Sequence, residues 1–131
     1  MKPQMNADKI LLNNLSERII GCALTVANAL GPGFLEKVYE NTLAHELRKA
    51  GLSVAQQRAI AVRYDDIVVG EYTADLLVED QVLVGLKAVK ALDTIHHAQC
   101  LNYLRATGLH LCLLMNFATP RMEIKRIVLR L

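Results

Sequence analysis

Apolar residues recur at helical spacing through the first part of this chain and at strand spacing through most of the rest. Ile19, Ile20, Ala23, Leu24, Ala27 and Leu30 form a broad apolar face. They predict a helix from Glu17 to about Leu30, with Ser16 as its N-cap. Gly31-Pro32-Gly33 then breaks the chain. Leu35, Val38, Tyr39, Leu43 and Leu47 predict a second helix from Phe34 to Ala50, and Gly51 is placed to stop it.

From Ser53 the period becomes two. Val54 to Tyr64, Ile67 to Val78 and Val82 to Val89 read as strands, separated by turns at Asp65-Asp66 and Glu79-Asp80. Asp93 or Thr94 starts a third helix that ends at Gly108. Leu109 to Phe117 is apolar throughout, as in a sheet covered on both faces. Met122 to Leu129 reads as a last strand. The predicted order is α-α-β-β-β-α-β-β, an α/β sandwich. Residues 1–131 are expected to form a single domain, with 1–14 as a loose N-terminal segment.

Two charges interrupt the apolar strands. Asp75 lies in Ala74-Asp75-Leu76-Leu77-Val78, and Lys87 in Val84-Gly85-Leu86-Lys87-Ala88. A charge in an apolar layer is costly unless it is paired or binds an ion. Strand register decides whether the two can meet. A two-residue turn at Glu79-Asp80 sets Asp75 opposite Val84 and leaves each charge alone. A three-residue turn from Glu79 to Gln81 sets Asp75 opposite Gly85, on the face that carries Lys87. The second register is expected, because it gathers the charges. Gly85 is itself unusual, since a glycine inside a strand commonly marks a bulge or a close approach.

Composition narrows the function classes. Hydrophobic residues make up 53% of the 131, enough to fill a core. No run of about 18 apolar residues appears, so no membrane partner is expected. Met1 to Asn14 is unlike a signal peptide, and a cytoplasmic location is expected. A net charge of +2 does not by itself indicate nucleic acid. Arg121, Lys125, Arg126 and Arg130 can touch phosphates or simply guard a solvated sheet edge. Cys22, Cys100 and Cys112 fit buried, reduced thiols, with neither a disulfide framework nor a zinc site.

Gly33-Phe34-Leu35-Glu36-Lys37-Val38-Tyr39 resembles the motif that names the GxxExxY proteins. The similarity continues through Glu40, Leu43, Glu46-Leu47, Gly51-Leu52, Gln57, Asp75 to Val78, Leu86 to Val89, Gln99, Asn102-Tyr103-Leu104 and Asn116-Phe117. That family is similar to the PD-(D/E)XK nuclease superfamily. The resemblance implies a restriction-endonuclease-like core, a mixed central sheet flanked by helices. It implies Mg²⁺ held by Glu36 and Asp75, with Lys87, Gln99 and Tyr103 as catalytic or site-ordering residues. It also implies an acid at the position of Gly85, and glycine cannot coordinate a metal. The implied cofactor is therefore Mg²⁺ at a weakened site.

Each of these residues has a structural alternative. Glu36 can be a helix-dipole carboxylate worth about 0.3–1 kcal/mol. Asp75 can be the ion-pair partner of Lys87. Lys87 can hold a phosphate as a point charge. Gln99 and Tyr103 lie one turn apart on one helix face, as a site-ordering pair or as a hydrogen bond beside a packed aromatic. His96 and His97 are adjacent, so they point apart and are expected at the surface or helix start. Glu71 shares strand parity with Asp75, but lies ~13 Å along the strand, too far to share one ion. Three functions compete: an active Mg²⁺-dependent nuclease, a nucleic-acid- or protein-binding module on the nuclease fold, and a structural protein acting through a homo-oligomer face. The missing acid favours a nuclease-like protein with a degenerate metal site and weak or no phosphodiesterase activity.

Overall fold

The structure, a computed structural model, describes residues 3–130. Its elements are α1 (Pro3–Leu30), α2 (Glu36–Lys49), β1 (Val54–Tyr64), β2 (Ile67–Val78), β3 (Val82–Lys87), α3 (Thr94–Thr107), β4 (Leu111–Asn116) and β5 (Glu123–Val128). The strands form one five-stranded sheet in the order β1-β2-β3-β4-β5. Only β3 and β4 run parallel, and α3 is their crossover. The sheet is therefore mixed and flanked by helices, in the predicted order.

Alternation along the strands divides the core between the two faces. Leu76, Val78, Val82, Val84, Leu113 and Met115 pack with α1 and α2. Leu77, Leu83, Cys112 and Leu114 pack with Cys100 and Leu104 of α3. All six residues of β4 are buried, as its unbroken apolar run requires.

The first helix is longer than its expected cap allowed. It begins at Pro3, and Ser16 sits inside it, donating its hydroxyl to the Asn13 carbonyl at 2.9 Å. Leu12 extends the buried stripe upstream of Ile19, and Arg126 of β5 bonds Asn13. Tertiary packing thus continues the helix where local sequence offered a cap. By length and mean hydropathy Ala7–Leu30 could cross a membrane, yet Ile19, Ala23 and Val26 are buried in the core.

The end of α2 follows its sequence. Gly51 is left-handed at φ 85°, its N–H reaches the Arg48 carbonyl, and the Leu52 N–H reaches Leu47. This is a Schellman arrangement, with Leu47 and Leu52 both buried beneath it. Asp93 caps α3 as expected, accepting the Ile95 N–H, while His96 Nδ1 accepts the Asp93 N–H. His96 is accounted for at the helix start.

Candidate functional site

The β2–β3 turn has three residues. Val78 pairs with Val82, Leu77 with Leu83 and Leu76 with Val84, which by continuation sets Asp75 opposite Gly85. Glu79 and Asp80 are both left-handed, and the Gln81 N–H donates to Val78. This is the register that gathers the charges. Beyond Leu76 the strands part, and Asp75 Oδ2 accepts the Leu86 backbone N–H at 2.7 Å.

Asp75 is opposed on its other side by a distorted residue. Gln56 pairs with Leu76 and Arg58 with Ala74, so Gln57 faces Asp75, and its φ is 52°. A left-handed glutamine inside a strand costs about 1–2 kcal/mol. The distortion breaks the alternation of both strands. Val54 packs toward α1 and α2 but Ile60 toward α3, and Leu76 toward α1 and α2 but Ala74 toward α3. Consecutive strand residues ordinarily face apart. Here Gln56 Nε2 and Gln57 Nε2 both reach one carboxylate, Glu40, at 2.7 and 2.6 Å.

Glu40 is the acid that sequence reasoning passed over as a site residue. It is 3% exposed on α2 and also bonds Lys37 Nζ at 3.0 Å. Its signal was present: a charge in the stripe of Leu43, Ala44 and Leu47. Glu36, the acid of the glycine–glutamate–tyrosine motif, starts α2 and is exposed. The other two motif positions build the fold. Gly33 takes φ 115°. Tyr39 is buried against Phe117, with centroids 4.7 Å apart, and its hydroxyl donates to Gly31 and accepts the Phe34 N–H.

The charges come together without pairing. Burial pushes the Asp75 carboxyl above the usual aspartate range; the Leu86 N–H and Lys87 oppose this, and Glu40 and Glu36 add to it. Lys87, Glu40 and Glu36 therefore lie near enough for their charges to act on Asp75. The alternative of an Asp75–Lys87 ion pair is not realised among the described residues. Lys87 ends β3, where the Phe117 N–H holds its carbonyl and Asn116 bonds both the N–H and the carbonyl of Val89. That clamp ends β3 at Lys87 rather than at the expected Val89. Asn116 is fully buried, and it too was marked in the sequence by its polarity within an apolar run.

Tyr103 extends the cluster onto α3. Burial raises its pKa, and the Asp75 charge raises it further. Gln99 lies one turn earlier, half-buried beside Cys100. Tyr103 packs on Tyr72, centroids 5.5 Å apart.

Gly85 is neither a bulge nor a close approach. It pairs regularly with Leu114, and its φ is not left-handed. A β-carbon there would lie 3.5 Å from Leu114 Cδ1 and 3.8 Å from Cys100 Sγ, ordinary contact distances. Backbone and space both admit a β-carbon at this position.

The donors present do not fit a divalent ion. Hard cations want several converging oxygens. Among the described residues no three His, Cys, Asp or Glu side chains are grouped to hold one. Asp75 is held by Leu86, Glu40 by Gln56, Gln57 and Lys37, Glu36 stands in solvent, and Gly85 offers nothing.

Comparison with known proteins agrees with the fold. Residues 13–127 match the family model of the PD-(D/E)XK nuclease superfamily. A crystal structure of SSO0001 superposes with a TM-score of 0.58 at 17% identity, covering 72% of this chain and 50% of that one. An alkaline exonuclease from Laribacter hongkongensis aligns with a TM-score of 0.41 at 18% identity, over 65% of this chain and 51% of that one. The chain thus spans about half the length of these two structures. A search of curated proteins finds no significant match.

Proposed function

We propose that this chain, which belongs to the PD-(D/E)XK nuclease superfamily, is a nuclease-fold protein with a degenerate metal site and weak or no phosphodiesterase activity. The observation that carries this reading is Gly85. It lies opposite Asp75 in a regular strand with room for a β-carbon, and among the described residues no three His, Cys, Asp or Glu side chains are grouped to hold an ion. Members of the superfamily usually use a divalent metal. Loss of one carboxylate from a small set of hard-cation ligands should weaken binding severely.

The function retained is nucleic-acid binding. Lys87 meets a phosphate as a point charge, and Gln99 and Tyr103 order that end of the site. Membership of the GxxExxY proteins is part of the same proposal, on the motif from Gly33 to Tyr39.

Calorimetric titration with Mg²⁺ and Mn²⁺, beside a cleavage assay on DNA and RNA, tests this. The natural chain is expected to show neither metal binding nor cleavage, and Gly85→Glu to gain metal binding. Metal binding with cleavage by the natural chain overturns the reading and identifies an active nuclease.

A further inference from the structure

A cleft of about 490 Å³ lies between the β1–β2 hairpin and α3, a volume in the ordinary range of ligand clefts. Arg63, Tyr72, Asn102 and Arg105 line it, with the small Ala61 and Ala106 between them. It carries two guanidiniums and no carboxylate. Neither arginine joins an ion pair among the described residues, and Arg105 bonds only the neutral Asn102, at 3.2 Å. Both are exposed. Like charges facing one cleft repel each other until an anion lies between them. The planar guanidinium fork suits phosphate.

The cleft is not a closed pocket for one small anion. A second cleft shares Ala61 and Ala106 and carries Arg58 and Asp80 on its wall. The cleft is thus open along β1, where Arg58 and Asp80 balance one another and the net positive charge stays at Arg63 and Arg105. Tyr72 contributes an aromatic ring, 42% exposed, packed on Tyr103. Tyr103 in turn feels the Asp75 charge, so the tyrosines join the cleft to the Asp75 cluster. A groove with cations for phosphates and a ring for bases is how single strands are held. A duplex keeps its bases stacked inside and leaves such a ring without a partner.

We propose that this cleft binds single-stranded nucleic acid, with Arg63 and Arg105 on phosphates and Tyr72 stacked on an unpaired base. The proposal rests on the nucleic-acid-binding reading above, and adds the place and the strandedness.

Fluorescence anisotropy tests it, using a labelled 12-nucleotide DNA single strand and the same sequence annealed as a duplex, in EDTA buffer. The natural chain is expected to bind the single strand more tightly than the duplex. Arg63→Ala with Arg105→Ala should weaken single-strand binding by about ten-fold or more and lower the salt slope by about 1.4, as two phosphate contacts on a single strand require. Tyr72→Leu should weaken it about five-fold or more while leaving the salt slope unchanged. Arg121→Ala with Lys125→Ala, at the exposed basic end of the chain, should bind like the natural protein. Undiminished binding in the Arg63/Arg105 variant, equal binding of duplex, or loss on changing Arg121 and Lys125 overturns the cleft while nucleic-acid binding stands. No binding of either probe by the natural chain overturns both.

Discussion

The Asp75 carboxylate accepts the Leu86 backbone N–H at 2.7 Å, in the place where β2 and β3 stop pairing. A side chain thus takes over a bond that a strand partner would have made. It fixes Asp75 at the fork of two strands, beside Lys87 and within the fields of Glu40 and Glu36. A carboxylate fixed there is under tension, because burial disfavours its charge by more than the Leu86 N–H and Lys87 offset.

That tension gives a pH signature. Burial raises the Asp75 pKa above its ordinary value, with Glu40 and Glu36 adding to the shift. The folded chain then holds this proton more tightly than the unfolded chain does. Its stabilising contribution is present below the ordinary aspartate value and is lost as pH rises through the raised one. Asp75→Asn keeps an acceptor for Leu86 and removes the charge. Thermal melts should show its Tm a few degrees above the natural protein at pH 7, with the gap closing near pH 3. A lower Tm at pH 7 would mean that the charge is well compensated.

Glu40 is expected to matter for stability as much as for the site. Glu40→Ala removes the acceptor of the Gln57 amide at 2.6 Å and one of two acceptors of the Gln56 amide at 2.7 Å, leaving Gln56 with Asn41 at 2.8 Å. Urea denaturation should show a loss of about 1–3 kcal/mol. Glu40→Gln retains acceptor capacity and should lose less. Equal losses would assign the effect to packing.

Asn116 makes four hydrogen bonds that tie the end of β3 to β4 and β5, through Val89, Ala118 and Glu123. Asn116→Ala leaves the part-buried backbone groups of Val89 and Ala118 without these partners and should cost about 1–3 kcal/mol. Amide exchange should quicken most at Val89 and Ala118. Unchanged exchange there would show that the clamp does not hold Lys87 in place.

Gly85→Ala isolates conformation from chemistry. The added carbon meets Leu114 and Cys100 at ordinary distances, and alanine is favoured over glycine inside a strand by roughly 0.5–1 kcal/mol. The variant should melt at or slightly above the natural temperature. A loss of several degrees would mean that packing, not chemistry, selects glycine.

Much of the site was visible in the sequence for one reason. Asp75 and Lys87 are charges in apolar strands, and the cost of burying a lone charge made them conspicuous and selected the three-residue turn that β2 and β3 adopt. Glu40 and Asn116 carried the same signal, in a helical stripe and in an apolar run, but each shares its surroundings with polar or motif residues that drew the reading elsewhere. The left-handed Gln57 left no trace, because glutamine has no preference for that conformation. Ser16 misled, since a good capping residue also fits inside a helix when packing extends it upstream.

The sequence by itself determined the order of elements, the apolar layers of the sheet and the register that sets Asp75 opposite Gly85. These depend on periodicity and on the solvation cost of charge, which act locally. Only the tertiary structure decided that Glu40 is buried while Glu36 is exposed, and that Gln56 and Gln57 turn to one carboxylate. Only it showed that Gly85 has room for a β-carbon. These depend on which elements pack face to face, and hydrophobic spacing along one element does not specify its neighbour.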